Sequence, residues 1–173
     1  TNSINVNNCG YVGGLWDSTT SYSDYGYTLG NTQEGGSYMA SGGSYGGYGG
    51  KYKTKAVNEI YGSLYYPADP GSGGGAFDYH YPGGRGGGVI IIEAGEVVNN
   101  GGIYADGESV THAGAGSGGS IQLHVTTLKG SGTITANGGN SEVYASGGGG
   151  RIALYYENAS EFNLANITAF GGK

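Results

Sequence analysis

Residue types that commonly carry catalysis are few and scattered in this chain. His80, His112 and His124 lack the His-Glu-x-x-His spacing that holds zinc on one helix face. Neither a Gly-x-Ser-x-Gly elbow nor a P-loop with lysine occurs, although 41 of the 173 residues are glycine. Cys9 is the single cysteine, which precludes an internal disulfide and favours a small buried hydrophobe over an intermolecular disulfide or a reactive thiol. We therefore predict no catalytic residue, no cofactor and no metal site.

The acidic and basic side chains suggest one remote alternative, a polysaccharide-degrading enzyme. Parallel β-helix enzymes that cut acidic polysaccharides use acid and base side chains on the outer face of a coil, and the residues to consider are Asp69, Asp78, Asp106, Lys129 and Arg151. Asp106 aligns with Asn137 and Phe170 in the repeat described below, which is typical of a turn position. Calcium binding would need acidic ligands, but the sequence contains no Asp-x-Asp-x-Asp loop. We therefore interpret the candidate acidic residues as solvent-exposed residues in turns. They are Asp17, Asp24, Asp69, Asp78, Asp106 and Glu108.

Two triplets match the acceptor for N-linked glycans. They are Asn158-Ala159-Ser160 and Asn166-Ile167-Thr168, and Asn7-Asn8-Cys9 is the rare cysteine variant. If the source is a eukaryote with a secretory pathway, we expect Asn158 and Asn166 to face solvent and to be glycosylated. Glycans there would also limit lateral aggregation of exposed sheet faces.

The second half of the chain contains one pattern written three times, at a spacing of about 31 to 33 residues. Each copy is a glycine lead-in, a β-rich strand, a spacer and a short strand. Strands are predicted near 89–93, 121–126 and 152–156, and a second set near 103–105, 134–136 and 167–169. The simplest interpretation is a stacked parallel β-solenoid, in which Ile134→Asp should unfold the domain because it buries an unpaired charge.

Alternation of side chains along each strand predicts which residues stack between copies. Polar residues such as Gln122 and His124 should face outward, and Val89–Ile92, apolar on both faces, should be covered by the N-terminal half. The predicted apolar columns are Val89/Ile121/Ile152, Ile91/Leu123/Leu154, Ile103/Ile134/Ile167 and Ala105/Ala136/Ala169.

Composition narrows the class of protein. Glycine far exceeds its usual share of about 7% but lacks the period of collagen. Seven scattered Lys and Arg residues and a net charge of −6 argue against nucleic acid as a partner. There is no run of about 18 apolar residues, hence no predicted membrane span. Almost no helix is expected, and even 51–61, the one stretch of helical composition without Gly or Pro, is doubtful.

The chain is predicted to be one all-β domain with three parts. Residues 1–16 hold an N-terminal strand, 17–85 are a Gly- and Tyr-rich cover or the first coils, and 86–173 are the three-copy repeat. The Gly-Gly-x triplets of 42–50 predict either extended polyglycine or PPII helices or a flexible loop. No signal peptide is visible and the chain opens at Thr1 without Met, so we expect a processed product or a segment of a longer protein.

Both ends of the predicted stack favour self-association. The last strand is followed only by Gly171-Gly172-Lys173, which gives no polar cap, and an uncapped β edge recruits other chains. At the other end, residues 1–8 alternate polar and apolar residues without glycine. They either donate a strand to a neighbouring copy, with Ile4 and Val6 filling its pockets, or fold back as an edge strand of their own domain. Head-to-tail contacts of this kind propagate into a filament.

Tyr61-Gly62-Ser63-Leu64, the Pro70–Gly75 run and the Gly-Gly-Ser-Ile, Ile-Thr-Ala-Asn-Gly-Gly and Gly-Gly-Gly-Gly-Arg-Ile-Ala blocks follow a recognisable order. Over residues 40–172 the chain resembles glycine-rich β-helix-like regions of very large secreted or cell-surface proteins of bacteria, algae and protists. That resemblance implies an extracellular structural or adhesive role without catalytic residues. We expect a subunit or segment of a filament, matrix or surface appendage; the alternative is a carbohydrate-binding module in which exposed Tyr side chains and Trp16 stack on sugars.

Overall fold

In a computed structural model, which describes residues 2–17 and 21–173, the chain is rich in β-strands. The only helical element of this part is a 3-10 turn at Leu164–Asn166, so the prediction of a strand-rich chain with almost no helix is confirmed. The strands are β1 (Ser3–Asn5), β2 (Leu15–Asp17), β3 (Ser21–Ser23), β4 (Val89–Val98), β5 (Gly102–Tyr104), β6 (Ser120–Gly130), β7 (Thr133–Thr135), β8 (Arg151–Phe162) and β9 (Ile167–Thr168).

Two parallel sheets are built from the repeat. The large sheet has the order β4-β6-β8, and the small sheet has the order β1-β5-β7-β9. A separate antiparallel pair joins β2 and β3. The sheets are small, and they do not form the predicted solenoid, because the chain leaves them through glycine-rich segments that bond to one another outside the sheets.

The apolar core lies between the two parallel sheets. Ile121, Leu123 and Ile134 are fully buried there, and Ile103 nearly so. In the small sheet, Ile103 pairs with Ile134, and Ile134 with Ile167, as the sequence predicts. Burial of branched apolar side chains in register is what holds the repeats together, at about 1.5–3 kcal/mol for each fully buried side chain.

The predicted register of the first repeat is wrong by one residue. Ile90, not Val89, pairs with Ile121 and so stacks with Ile152, and Ile92, not Ile91, pairs with Leu123. An apolar run without alternation gives no signal for which residues face the core, so the copy could not be aligned from its pattern. Ile91 consequently points away from the core and is 52% exposed, uncovered by the N-terminal half.

The glycine-rich segments form a bundle of extended chains whose hydrogen bonds repeat every third residue. In segment 114–119 each third N–H donates to the same neighbouring segment, which is the period of a three-fold polyglycine or PPII helix. The donor and acceptor pairs are Gly114–Gly75 and Ser117–Ser72, Ala115–Ala145 and Gly118–Gly148, and Gly116–Glu108 and Gly119–Ala105. Of the two alternatives for 42–50, the structure shows the extended one: this segment is hydrogen-bonded to 146–149 and is not a free loop.

Space, not backbone conformation, requires glycine in this bundle. A Cβ added at Gly116 would lie 1.8 Å from the carbonyl oxygen of Arg85, and one at Gly147 would lie 1.9 Å from that of Gly116. The described glycines with positive φ are Gly30, Gly35, Gly62 and Gly130, none of them in segment 114–119. Glycine segments from the first half of the chain interleave in this bundle with those of the repeat.

Candidate functional site

The outer face of the large sheet brings several polar and aromatic side chains together. We define this outer face by the side chains opposite the core, and it begins with the row Val89, Ser120 and Arg151. Segment 58–70 covers that row on β6 and β8. Ser120 Oγ lies 2.6 Å from Tyr45 Oη and donates to the carbonyl of Asp69 at 2.5 Å, while Arg151 Nη2 donates to the carbonyl of Tyr61 at 2.9 Å.

A row of stacked rings crosses the outer face four residues further along the strands. His124 of β6 and Tyr155 of β8 are paired in register, and their ring centroids are 4.5 Å apart with an interplanar angle of 17°. Tyr66 stacks on the other side of Tyr155 at 5.9 Å and 15°. Glu93 of β4 pairs with His124 and ends the row at the sheet edge.

Hydrogen bonds fix the rings of this row. Tyr155 Oη donates to the carbonyl of Tyr65 at 2.6 Å, and the side chains of Gln122 and His124 meet at 2.8 Å. Burial raises the pKa of Tyr155, and the neighbouring Tyr66 and Tyr65 raise it further. The Tyr155 phenol therefore stays neutral and remains a hydrogen-bond donor at physiological pH. As predicted, the side chain of Gln122 points away from the core. It is nevertheless buried, because neighbouring residues cover it.

An open groove of about 390 Å³ follows the ring row on the outer face. Thr126 and Glu157 line it side by side, and the register places Gly95 next to Thr126 at the end of the groove, since Ala94 and Glu96 pair with Val125 and Thr127. The edges of the His124 and Tyr155 rings form its wall. Its lining is Ala94, His124, Val125, Thr126, Tyr155, Tyr156 and Glu157.

A second groove, of about 310 Å³, lies between β1 and the edge of β4. It is mainly apolar and includes Ile4, Ile92, Val97 and Val98. Ile4 is 48% exposed and Val98 is 56% exposed. The small sheet has four strands where the large sheet has three, so among the residues that the structure describes no strand lies beside β4 in the layer of β1.

Ile4 and Val6 lie at the edge of their own domain. Ile4 pairs with Ile103, and Val6 N–H donates to the carbonyl of Tyr104 at 2.8 Å. Val6 also packs against the buried core. Of the two alternatives for residues 1–8, the structure contains the folded-back strand; donation to another copy stays a prediction.

The two predicted glycosylation residues have different surroundings. Asn158 is exposed on β8, and its Oδ1 accepts the N–H of Ser160 at 2.9 Å; among the described residues its amide nitrogen has no hydrogen-bond partner. Asn166 is half-buried, and its Nδ2, the atom that would carry the glycan, donates to the carbonyl of Gly132 at 3.1 Å. The expectation of solvent exposure therefore fits Asn158 and does not fit Asn166.

Other residues considered for chemistry serve other purposes. Asp106 accepts hydrogen bonds from Asn137 N–H at 2.7 Å and from Thr135 Oγ1 at 2.8 Å, so it bridges repeats. Cys9 is exposed, and the expectation that it is buried is wrong. Within residues 2–17 and 21–173, no three His, Cys, Asp or Glu side chains are grouped to hold a metal ion. The predicted sugar-stacking side chain of Trp16, and that of Asp17, lie outside the described residues.

The sequence predicted the outward direction of His124 but not its ring row. The signal was present: Tyr155 follows Leu154 as His124 follows Leu123, so both occupy one column of the repeat. Gly95 inside an otherwise β-rich run is a second such signal. Comparisons with family models, with curated proteins and with solved structures find no match. In the part of the chain that the structure describes, no helix is long and apolar enough to cross a membrane.

Proposed function

We propose that this chain is a structural module of an extracellular filament, matrix or cell-surface appendage and that it assembles with copies of itself. Its stiffness rests on backbone hydrogen bonds between glycine segments, which need neither disulfides nor a cofactor. An exposed glycosylation triplet at Asn158 fits an extracellular location. The copies would together form the continuous solenoid-like stack that the repeat pattern predicts.

The observation that supports this proposal is the edge of β4, beside which the described residues place no further strand. Ten residues of β4 form one edge of the large sheet, and twelve residues of β8 form the other. Unpaired edges of this length present rows of backbone donors and acceptors that recruit further strands. The groove between β1 and β4 adds exposed apolar surface at the same place, with Ile4 and Val98 on its walls.

The partner that fits β4 best is β8 of a second copy. Parallel addition would continue the existing register, with Ile152 of one copy beside Ile90 of the next. Because β9 lies in the layer of β8, it would meet β5 of the second copy, where β1 now pairs. Assembly in this arrangement requires β1 to move aside. The contact is heterologous, so it extends into a filament and does not close into a dimer.

Concentration-dependent light scattering and negative-stain electron microscopy test the proposal. The unaltered chain should form filaments, and Val98→Lys should abolish them by placing a charge in the groove. Val143→Lys is the matched control, since Val143 is similarly exposed but does not line this groove. Filaments in both variants, or a monomeric unaltered chain at all concentrations, would overturn the proposal.

Deletion of residues 1–8 separates the two routes of assembly. If β8 adds to β4, removing β1 should accelerate filament growth. If residues 1–8 are donated to a neighbour, the same deletion should leave a soluble monomer. Circular dichroism before and after the deletion shows whether the domain remains folded.

A further inference from the structure

Gly95 is a glycine for which the fold gives no reason. It lies inside β4, where glycine destabilises a strand by roughly 0.5–1 kcal/mol relative to alanine. A Cβ built there meets nothing within 4 Å, and its φ is not positive. Gly30 and Gly35, which also meet nothing, do have positive φ. The lack of a side chain at Gly95 keeps one end of the outer-face groove open.

The groove beside Gly95 offers hydrogen-bonding groups that the protein itself does not use. Thr126 and Glu157 are exposed, and within the described residues their side chains form no hydrogen bond or ion pair. The hydroxyl of Thr126 can donate and accept, while the carboxylate of Glu157 accepts only. The edges of the stacked His124 and Tyr155 rings also line the groove. A ligand seated here would meet these ring edges as well as the polar groups of Thr126 and Glu157.

Charge decides which ligand class fits. No Lys or Arg lines the groove, which contains Glu157; Glu93 lies on β4 at the far edge of the sheet, and Glu96 of the same strand is paired with Lys129 at 2.9 Å. Acidic ligands would be repelled, so sulfated and carboxylated polymers do not fit. The hydroxyl groups of a neutral sugar suit carboxylate and threonine partners. The groove is open along its length, which admits an internal unit of a polymer and does not require a chain end.

From these observations we infer that the groove over Gly95, Thr126 and Glu157 binds a neutral polysaccharide. The site lies on the outer face of the large sheet, whereas the groove proposed for self-assembly lies between β1 and the β4 edge. The two activities therefore use different surfaces. A module with both would join a filament of its own copies to a neutral glycan matrix.

Affinity electrophoresis tests the inference, with native gels containing hydroxyethylcellulose, arabinoxylan or galactomannan, and alginate as the acidic comparison. At least one neutral polysaccharide should retard the chain, and alginate should not. Gly95→Thr fills the groove and Glu157→Gln removes its acceptor charge; each should weaken binding about tenfold or more, the effect of losing one or two good hydrogen bonds. Gly95→Thr should leave the melting temperature unchanged or raise it.

Val98→Thr is the matched control, because Val98 lies on the same strand but lines the groove beside β1 and not the outer-face groove. Its retardation should equal that of the unaltered chain. Val98→Lys, which blocks assembly, should also keep full retardation, so failure of assembly and failure of glycan binding are distinguishable. Absence of retardation in all three neutral gels would overturn the inference. Equal retardation by alginate, or unchanged retardation of Gly95→Thr, would overturn it as well.

Discussion

At the scale of single residues, side-chain oxygens tie each layer of the repeat to the next. Asn7 Oδ1 accepts the N–H of Asp106 at 2.7 Å, Asp106 Oδ1 accepts that of Asn137 at 2.7 Å, and Asn137 Oδ1 accepts that of Phe170 at 2.8 Å. Equivalent positions of successive layers thus form a ladder of amide and carboxylate acceptors. The turn position inferred for Asp106 from sequence is in fact a link between layers.

Removing one step of this ladder should be costly. Asp106→Ala leaves the N–H of Asn137 and the hydroxyl of Thr135 without their acceptor, and we expect a loss of about 1–3 kcal/mol in the free energy of unfolding. Asp106→Asn keeps an oxygen in place, as Asn7 and Asn137 do, and should lose much less. Urea unfolding of both variants measures the difference, and equal losses would contradict the role assigned to the carboxylate.

Tyr61 should make the folded state less stable at alkaline pH. Burial raises the pKa of its phenol above the ordinary value of 10.0, with the hydroxyl donating to the Pro70 carbonyl at 2.6 Å. A group whose folded pKa is raised contributes stability below its unfolded pKa, and this stability is lost as pH rises above it. The melting temperature should therefore fall above about pH 10.

Tyr61→Phe should reduce that alkaline loss, at the cost of the hydrogen bond, about 1 kcal/mol at neutral pH. Tyr79→Phe removes a hydroxyl from an exposed tyrosine and serves as the control. Melting temperatures from pH 7 to 11 provide the measurement. A profile of Tyr61→Phe that parallels the unaltered chain would refute the assignment.

At the scale of elements, the segments of the glycine bundle are packed so closely that a side chain cannot fit between them. Gly116→Ala would place a Cβ 1.8 Å from the Arg85 carbonyl oxygen, so the bundle must separate or the chain must not fold. Gly95→Ala meets nothing within 4 Å and should be neutral or stabilising by about 0.5–1 kcal/mol. Thermal unfolding of this pair compares crowded and free glycines directly; similar melting temperatures would contradict the close packing.

Sequence patterns predicted the strands of the repeat well and the bundle poorly, for a physical reason. Ile103, Ile134 and Ile167 are separated by polar neighbours, so alternation assigns their faces and their pairing is as predicted. Ile90 and Ile91 lie in an unbroken apolar run, and their assignment was wrong. In the bundle, neighbours meet through backbone atoms, and glycine has no side chain to indicate which segment it contacts.

For the candidate site, too, the sequence predicted features set by local alternation and missed those set by tertiary contacts. The outward direction of His124 came from alternation, whereas its stacking on Tyr155 and Tyr66 depends on segment 58–70 folding over β8. No local pattern predicts that contact, because 66 and 155 are far apart in the chain. The two glycosylation triplets look equivalent in sequence, but tertiary structure distinguishes them. Asn158 is exposed, whereas the amide nitrogen of Asn166 is hydrogen-bonded to the Gly132 carbonyl.

At the scale of the whole molecule, one chain path couples the sheets to the bundle. Each repeat runs through a strand of the large sheet, a strand of the small sheet, an outgoing glycine segment and a returning one. The returning segment 114–119 bonds to both the 72–75 segment of the first half and the 145–148 segment of the next repeat. A change in either half is therefore transmitted to the other, and we infer that the described parts behave as one folded unit.

A glycan at Asn158 should act on this whole assembly through one edge. Asn158 is exposed on β8, the strand proposed to add to β4 of another copy, so a branched sugar there would obstruct the approaching edge. The chain secreted from a eukaryotic host should carry a glycan at this position and stay monomeric. Intact mass before and after deglycosylation identifies the glycan, and light scattering follows assembly.

The substitution Asn158→Gln removes the acceptor and should restore filaments in the secreted chain, whereas Asn166→Gln should change neither mass nor assembly, since Nδ2 of Asn166 is bonded to the Gly132 carbonyl. Bacterial expression, which adds no such glycan, supplies the unmodified reference. A glycosylated chain that forms filaments as readily as this reference would show that the β8 edge is not the assembling surface, because a glycan beside the edge cannot be accommodated between strands less than 5 Å apart, about the spacing of a parallel pair.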